Sequence, residues 1–98
     1  MKIDSKVEEG NLSIVLDGRL DSMTSGELEA HLEKELTDSI QALSIDLGAV
    51  DFISSKGLRV MVATYKKMNG RPMNLLNANA SVKEVFRLSG LQKFFDLK

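Results

Sequence analysis

The stretch IDLGAVDFISSKGLRVMVATYKKM, Ile45 to Met68, decides the fold. Leu43, Ile45 and Leu47 alternate with Ser44 and Asp46. Period-two alternation is the mark of a strand with one buried face, here about five or six residues long. Asp51 to Ser55 then reads as the loop leaving that strand, and a helix begins near Ser55. Leu58, Met61, Val62, Tyr65 and Met68 mark its buried stripe, with Arg59, Lys66 and Lys67 at wetter positions. Asn69-Gly70 supplies the stop, because both residues tolerate the left-handed conformation that ends helices.

The chain on either side has the same rhythm. Leu28, Leu32 and Leu36 recur every four residues, so GELEAHLEKEL is a helix with leucines on one face and Glu27, Glu29, Glu33, Lys34 and Glu35 mostly on the other. Asp21-Ser22 and Thr24-Ser25 offer N-caps for it. Before it, Leu12, Ile14 and Leu16 alternate as a strand that Gly18 is expected to end. Residues 1–9 form an edge strand, joined through the turn chemistry of Glu9-Gly10-Asn11.

After Arg71-Pro72 comes a short strand, Met73 to Leu76. Asn77 to Ala80 turns, and Ser81 caps a third helix that carries Val82, Val85, Phe86 and Leu88 and ends at Gly90. Phe94, Phe95 and Leu97 form a last apolar segment, strand or extended tail. The order β-β-α-β-α-β-α-(β) predicts an α/β fold: a mixed sheet of about four to five strands with about three to four helices packed on it, in parallel βαβ units with right-handed crossovers. No repeat or linker interrupts residues 1–98, so one domain is expected.

Composition narrows the function. The 98 residues are 43% hydrophobic and 28% charged, as in ordinary globular domains. A net charge of −1 lacks the basic footprint of a nucleic-acid binder. There is no cysteine, which removes disulfides and thiolate chemistry. The N-terminus has no signal-peptide core, and no run approaches the ~18 apolar residues of a membrane span. A cytoplasmic protein that does not insert into membranes is expected. With His31 the single histidine, metal binding and serine-hydrolase chemistry both lack their partners. No P-loop or G-x-S-x-G elbow is present, and no cofactor is implied. Met61, Met68 and Met73 read as core filler. From spacing alone, Ser55 is a helix N-cap, a role it shares with Ser54.

GRLDSMTSGEL, the central V-D-F-I-S-S-K-G-L and the closing SVKEVFRLSGLQKFF together resemble the STAS family, named for sulfate transporters and anti-sigma factor antagonists. The resemblance covers most of the chain. It implies a switch protein without catalysis, like the free-standing anti-sigma factor antagonists. Such a protein binds an anti-sigma factor that is also a serine kinase, is phosphorylated at the start of the second helix, lets go, and is reset by a serine phosphatase. Aligned on the motif, Ser55 takes the phosphoacceptor place and Ser54 becomes the cap. Asp21, Ser54, Lys56, Gly57 and Arg59 then form the partner-binding rim. Two positions depart from the family pattern: Ser54 stands where many antagonists have Asp, and Lys56 where the residue is usually small. The resemblance also admits a stand-alone subunit of a membrane transport complex, or a scaffold in a stress-signalling assembly. A monomer is expected, because the predicted helices leave no obvious unpaired apolar face.

Overall fold

A computed structural model describes residues 1–97. Its elements are β1 (Lys2–Glu8), β2 (Asn11–Leu20), α1 (Ser22–Glu35), β3 (Ala42–Ile53), α2 (Ser55–Met68), β4 (Met73–Leu76), α3 (Ala80–Leu88) and β5 (Asp96–Leu97). The five strands lie in sequence order in one sheet. β1 runs antiparallel to β2, and every later pair is parallel. The mixed α/β sheet expected from the sequence is therefore present, with five strands and three helices.

The central strands β2 and β4, and β3 as far as Leu47, bury alternate residues on one face, while the edge strand β1 buries none. Leu12, Ile14 and Leu16 of β2, Leu43, Ile45 and Leu47 of β3, and Leu75 of β4 are at most 1% exposed. Against them pack Leu28 and Leu32 of α1, Met61 and Met68 of α2, and Val82 and Phe86 of α3. Fully burying one such side chain contributes about 1.5–3 kcal/mol, so this layer dominates stability. The opposite sheet face stays open to water, lined by Ser13, Val15 and Asp17 with Ser44, Asp46 and Asn74.

Gly18 does not end β2, which continues to Leu20. β3 runs twelve residues instead of about half that, so Asp51–Ile53 is strand and not loop. The cause is a pair of β-bulges. Val15 pairs with Asp46 but Asp17 with Ala49, and Gly18 with Val50 but Leu20 with Ile53. Each slip inserts one extra residue on β3, which bends the pair without ending it. Gly18 accommodates the bend at φ 125°, a conformation that side chains disfavour.

Local expectations for α2 and α3 also change. α3 is capped by Asn79, whose Oδ1 accepts the Val82 N–H at 2.8 Å, and not by Ser81. Its Leu88 is exposed. In α2 the buried stripe is Gly57, Val60, Met61, Thr64 and Met68. Val60 and Thr64 turn toward α1, while Tyr65 meets the rings of Phe94 and Phe95 at 5.6 Å each. Arg71 is half-buried. Its guanidinium donates to the carbonyls of Lys67 (3.0 Å), Met68 (2.8 Å) and Ile40, clamping the end of α2 to the approach to β3.

Candidate functional site

Parallel strands β2 and β3 end side by side, and each feeds a helix. The Ser54 N–H donates to the Leu20 carbonyl at 2.8 Å, a bond that ties the two strand ends together. The next residues along each chain are Asp21, before α1, and Ser55, the first residue of α2. Both helix starts therefore open on one rim, and the topology brings Asp21 and Ser55 together as the sequence suggested.

Asp21 is the N-cap of α1. Its Oδ1 accepts the N–H groups of Met23 (3.0 Å) and Thr24 (2.9 Å), and Thr24 Oγ1 accepts the Asp21 N–H at 2.9 Å. This is a capping box, with threonine in the place more often held by Glu or Gln. The Thr24 backbone and side-chain hydrogen bonds hold the Asp21 carboxyl below its ordinary range. The rim therefore carries a carboxylate that stays ionised in mildly acidic solution.

The two serines divide their labour. Ser54 has extended backbone (φ −86°, ψ 171°), and its Oγ accepts the Gly57 N–H at 3.1 Å, so it caps α2. Ser55 is exposed at the first helical position. The first turn of a helix leaves N–H groups without intrahelical partners, and its dipole favours negative charge nearby. Ser55 thus presents a hydroxyl to solvent in a setting that tolerates an anion.

Gly57 is buried, which corrects its expected place in the partner-binding rim. A Cβ there would lie 2.8 Å from Ile53 Cγ1, 3.2 Å from Ser25 Oγ and 3.4 Å from Leu20 Cβ. The space is filled by α1 and the two strand ends, so Gly57 positions the start of α2 instead of contacting anything outside. Ser25 is fully buried, and its Oγ has no hydrogen-bond partner among the described residues. Lys56 is half-buried and reaches back over α1, its Nζ 3.5 Å from where a Gly26 Cβ would sit. Arg59 is exposed one turn after Ser55.

Sequence reasoning missed three rim residues. The Arg19 guanidinium lies 4.6 Å from the centroid of the Phe52 ring. Phe52 is 41% exposed and Met23 79% exposed. The alternation that counts Phe52 as loop hides it, and Met23 fell between two candidate caps. Asp46, which flanks the motif in sequence, lies elsewhere. It bonds the Gly48 N–H (2.8 Å) and Asn77 Nδ2 (3.0 Å), roughly 20 Å from Ser55 at a strand rise of ~3.3 Å per residue. Among the described residues no cluster of three or more His, Cys, Asp or Glu side chains is arranged to hold a metal.

Such a sheet, with two helix starts sharing a rim and a serine at the second, defines a STAS-type domain. The STAS domain model matches residues 2–98, and the chain belongs to this family. It is 35% identical over 83 residues to RsfB of Mycobacterium tuberculosis, an anti-sigma-F factor antagonist; the match spans 84% of this chain and 68% of RsfB. It is 32% identical over 97 residues to BtrV of Bordetella bronchiseptica, described as a candidate anti-sigma factor antagonist, spanning 97% of this chain and 84% of BtrV. The crystal structure of an anti-sigma factor antagonist from Mycobacterium paratuberculosis superposes with a TM-score of 0.88 at 30% identity, covering 98% of this chain and 83% of that one.

Proposed function

We propose that this protein is an anti-sigma factor antagonist controlled by phosphorylation of Ser55. Unmodified, it binds an anti-sigma factor with serine-kinase activity. Phosphorylated, it releases that partner, and a serine phosphatase restores it. The names of the similar proteins support the first half of this reading. The observation that carries the second is the exposed hydroxyl at the first position of α2, on a rim already holding the Asp21 carboxylate.

Phosphorylation adds about −1.5 to −2 charges. The helix N-terminus accommodates that charge, so the fold is retained. A protein docked over the rim must accommodate it beside Asp21, in an interface with little water. Losing only ~1.4 kcal/mol there weakens binding tenfold. The reading gives Asp21 and Arg59 direct contact with the partner, and Lys56 contact through its amine. Ser54 and Gly57 set the position of the α2 start from beneath. The chain carries out no reaction of its own, in keeping with relatives named as antagonists. Among the described residues no helix is long and apolar enough to cross a membrane.

The test is incubation with the cognate anti-sigma factor kinase and Mg-ATP, read by mass spectrometry of the peptide containing Ser54 and Ser55. Phosphate is expected on Ser55 and absent from Ser55→Ala. Ser55→Glu is expected to bind the kinase at least tenfold more weakly with its melting temperature unchanged. Phosphate retained by Ser55→Ala, or equal affinity of Ser55→Glu, refutes the proposal.

A further inference from the structure

Helix α2 is unusual in charge. It carries Lys56, Arg59, Lys66 and Lys67 and no carboxylate, in a chain whose net charge is −1. Among the described residues the ion pairs are Lys2–Asp4, Lys6–Glu8 and Glu84–Arg87, so none neutralises α2. Along its outer side runs an apolar trough. Leu58, Val62, Ala63 and Leu91 line a groove of about 440 Å³ together with Arg59 and Lys66. Sharing Val62 and Lys66 with it is a smaller cleft formed with Tyr65, Phe94 and Phe95. Tyr65 is 40% exposed and Phe94 42%, and Lys93 Nζ stands 5.3 Å from the Phe94 ring centroid. Among the described residues no carboxylate lines the trough.

We propose that this trough is a docking groove for an acidic amphipathic helix of a protein partner. Most of the lining is apolar, and the charged residues in it, Arg59 and Lys66, are cationic, as is Lys93 beside the Phe94 ring. That pairing selects a helix with an apolar stripe flanked by Asp and Glu, and rejects a basic one by like-charge repulsion. From Leu58 to Tyr65 the floor extends roughly 10 Å at 1.5 Å per residue, which matches about two turns of a helix laid alongside. The charge also argues against a second copy of this chain as occupant: its one acidic helix, α1, spends its apolar residues Leu28 and Leu32 on the core. Leu58 lies one turn from Ser55, so the groove opens onto the rim. The partner that senses Ser55 is then the natural owner of the helix, and to that extent the inference rests on the proposed function. The groove itself does not depend on phosphorylation.

The probe is a synthetic helical peptide of about three turns, with leucines at i, i+4 and i+7 flanked by glutamates, together with a twin in which lysines replace the glutamates. Amide shifts of the 15N-labelled protein report binding. The acidic peptide is expected to move the amides of residues 58–66 and 91–94, with affinity that falls several-fold as salt is raised. The lysine twin is expected to bind at least tenfold more weakly. Val62→Glu should weaken the acidic peptide at least tenfold, and Arg59→Glu with Lys66→Glu should reverse the preference between the twins. Amide spectra of each variant confirm that it is folded. No shift of these amides at about millimolar peptide, or equal binding of the two peptides, overturns the proposal. So do concentration-dependent shifts of the same amides without peptide, which assign the trough to a second copy. Should the peptides behave as expected while Ser55 gains no phosphate from a kinase, the groove stands and the phosphorylation reading falls alone.

Discussion

Substituting Gly57 by alanine places one methyl group where two helices and two strand ends converge. On helix propensity alone, the change stabilises by up to ~1 kcal/mol. The local packing opposes it. The new Cβ would sit 2.8 Å from Ile53 Cγ1, about 1 Å inside a comfortable carbon–carbon contact, with Ser25 Oγ at 3.2 Å on another side. Ile53 Cγ1 is a branch atom of a residue only 3% exposed, so it cannot swing away as the tip of a long side chain would. Overpacking of this kind costs about 1–3 kcal/mol. With three close neighbours the upper part of that range applies, which leaves a net loss of about 1–2 kcal/mol. For a domain of this size, that lowers the melting temperature by roughly 5–15 °C. Urea denaturation of four proteins checks the cause: the parent, Gly57→Ala, Ile53→Ala and the double variant. Ile53→Ala alone should cost about 2–5 kcal/mol. In its background the methyl introduced by Gly57→Ala occupies vacated space, so the second change should be neutral or stabilising, with a coupling of at least ~1 kcal/mol. An equal cost of Gly57→Ala in both backgrounds refutes the clash.

Ser54→Ala should cost about 1 kcal/mol in chemical denaturation, because it removes the cap of α2, while Ser55→Ala stays within about 0.5 kcal/mol of the parent. The reverse order would mean that the two serines exchange roles. The Asp21 carboxyl titrates below its ordinary value in the folded chain, so its contribution is complete above the unfolded value of 3.8 and is lost as pH falls through the folded one. Acid titration followed by NMR should show that midpoint below 3.8, and in Asp21→Asn this part of the pH dependence of stability should vanish. Arg71→Leu leaves carbonyls at the end of α2 and before β3 without their shared donor, and should destabilise by about 1–3 kcal/mol in the same denaturation assay.

The sequence was most legible where neighbours in the chain are also neighbours in space. The bounds of β4 follow from local alternation, and α2 from Ser55 to Met68 follows from a serine cap and an Asn-Gly stop. It was least legible where a distant segment decides. Tyr65 fits the helical stripe as well as Val60 does. Only the return of Phe94 and Phe95 from the C-terminus draws it outward, while α1 buries Val60. β3 misleads differently. Past Leu47 its buried residues are Val50 and Ile53, three apart, because bulges break the period-two rhythm. Of the site, the pairing of Asp21 with the α2 start was readable from the motif and the order of elements. The burial of Gly57 and the exposure of Met23 and Phe52 were not, since each depends on how closely two elements approach.

The two bulges have a consequence for length. Twelve residues of β3 run beside ten of β2, and the surplus of two returns Ile53 to the side of the sheet that Leu47 occupies. Removing one of the two extra residues would erase a bulge and straighten the pair there while leaving Ile53 opposite Leu20. The direction in which β3 hands the chain to α2 is thus set by two residues with no partners of their own on β2.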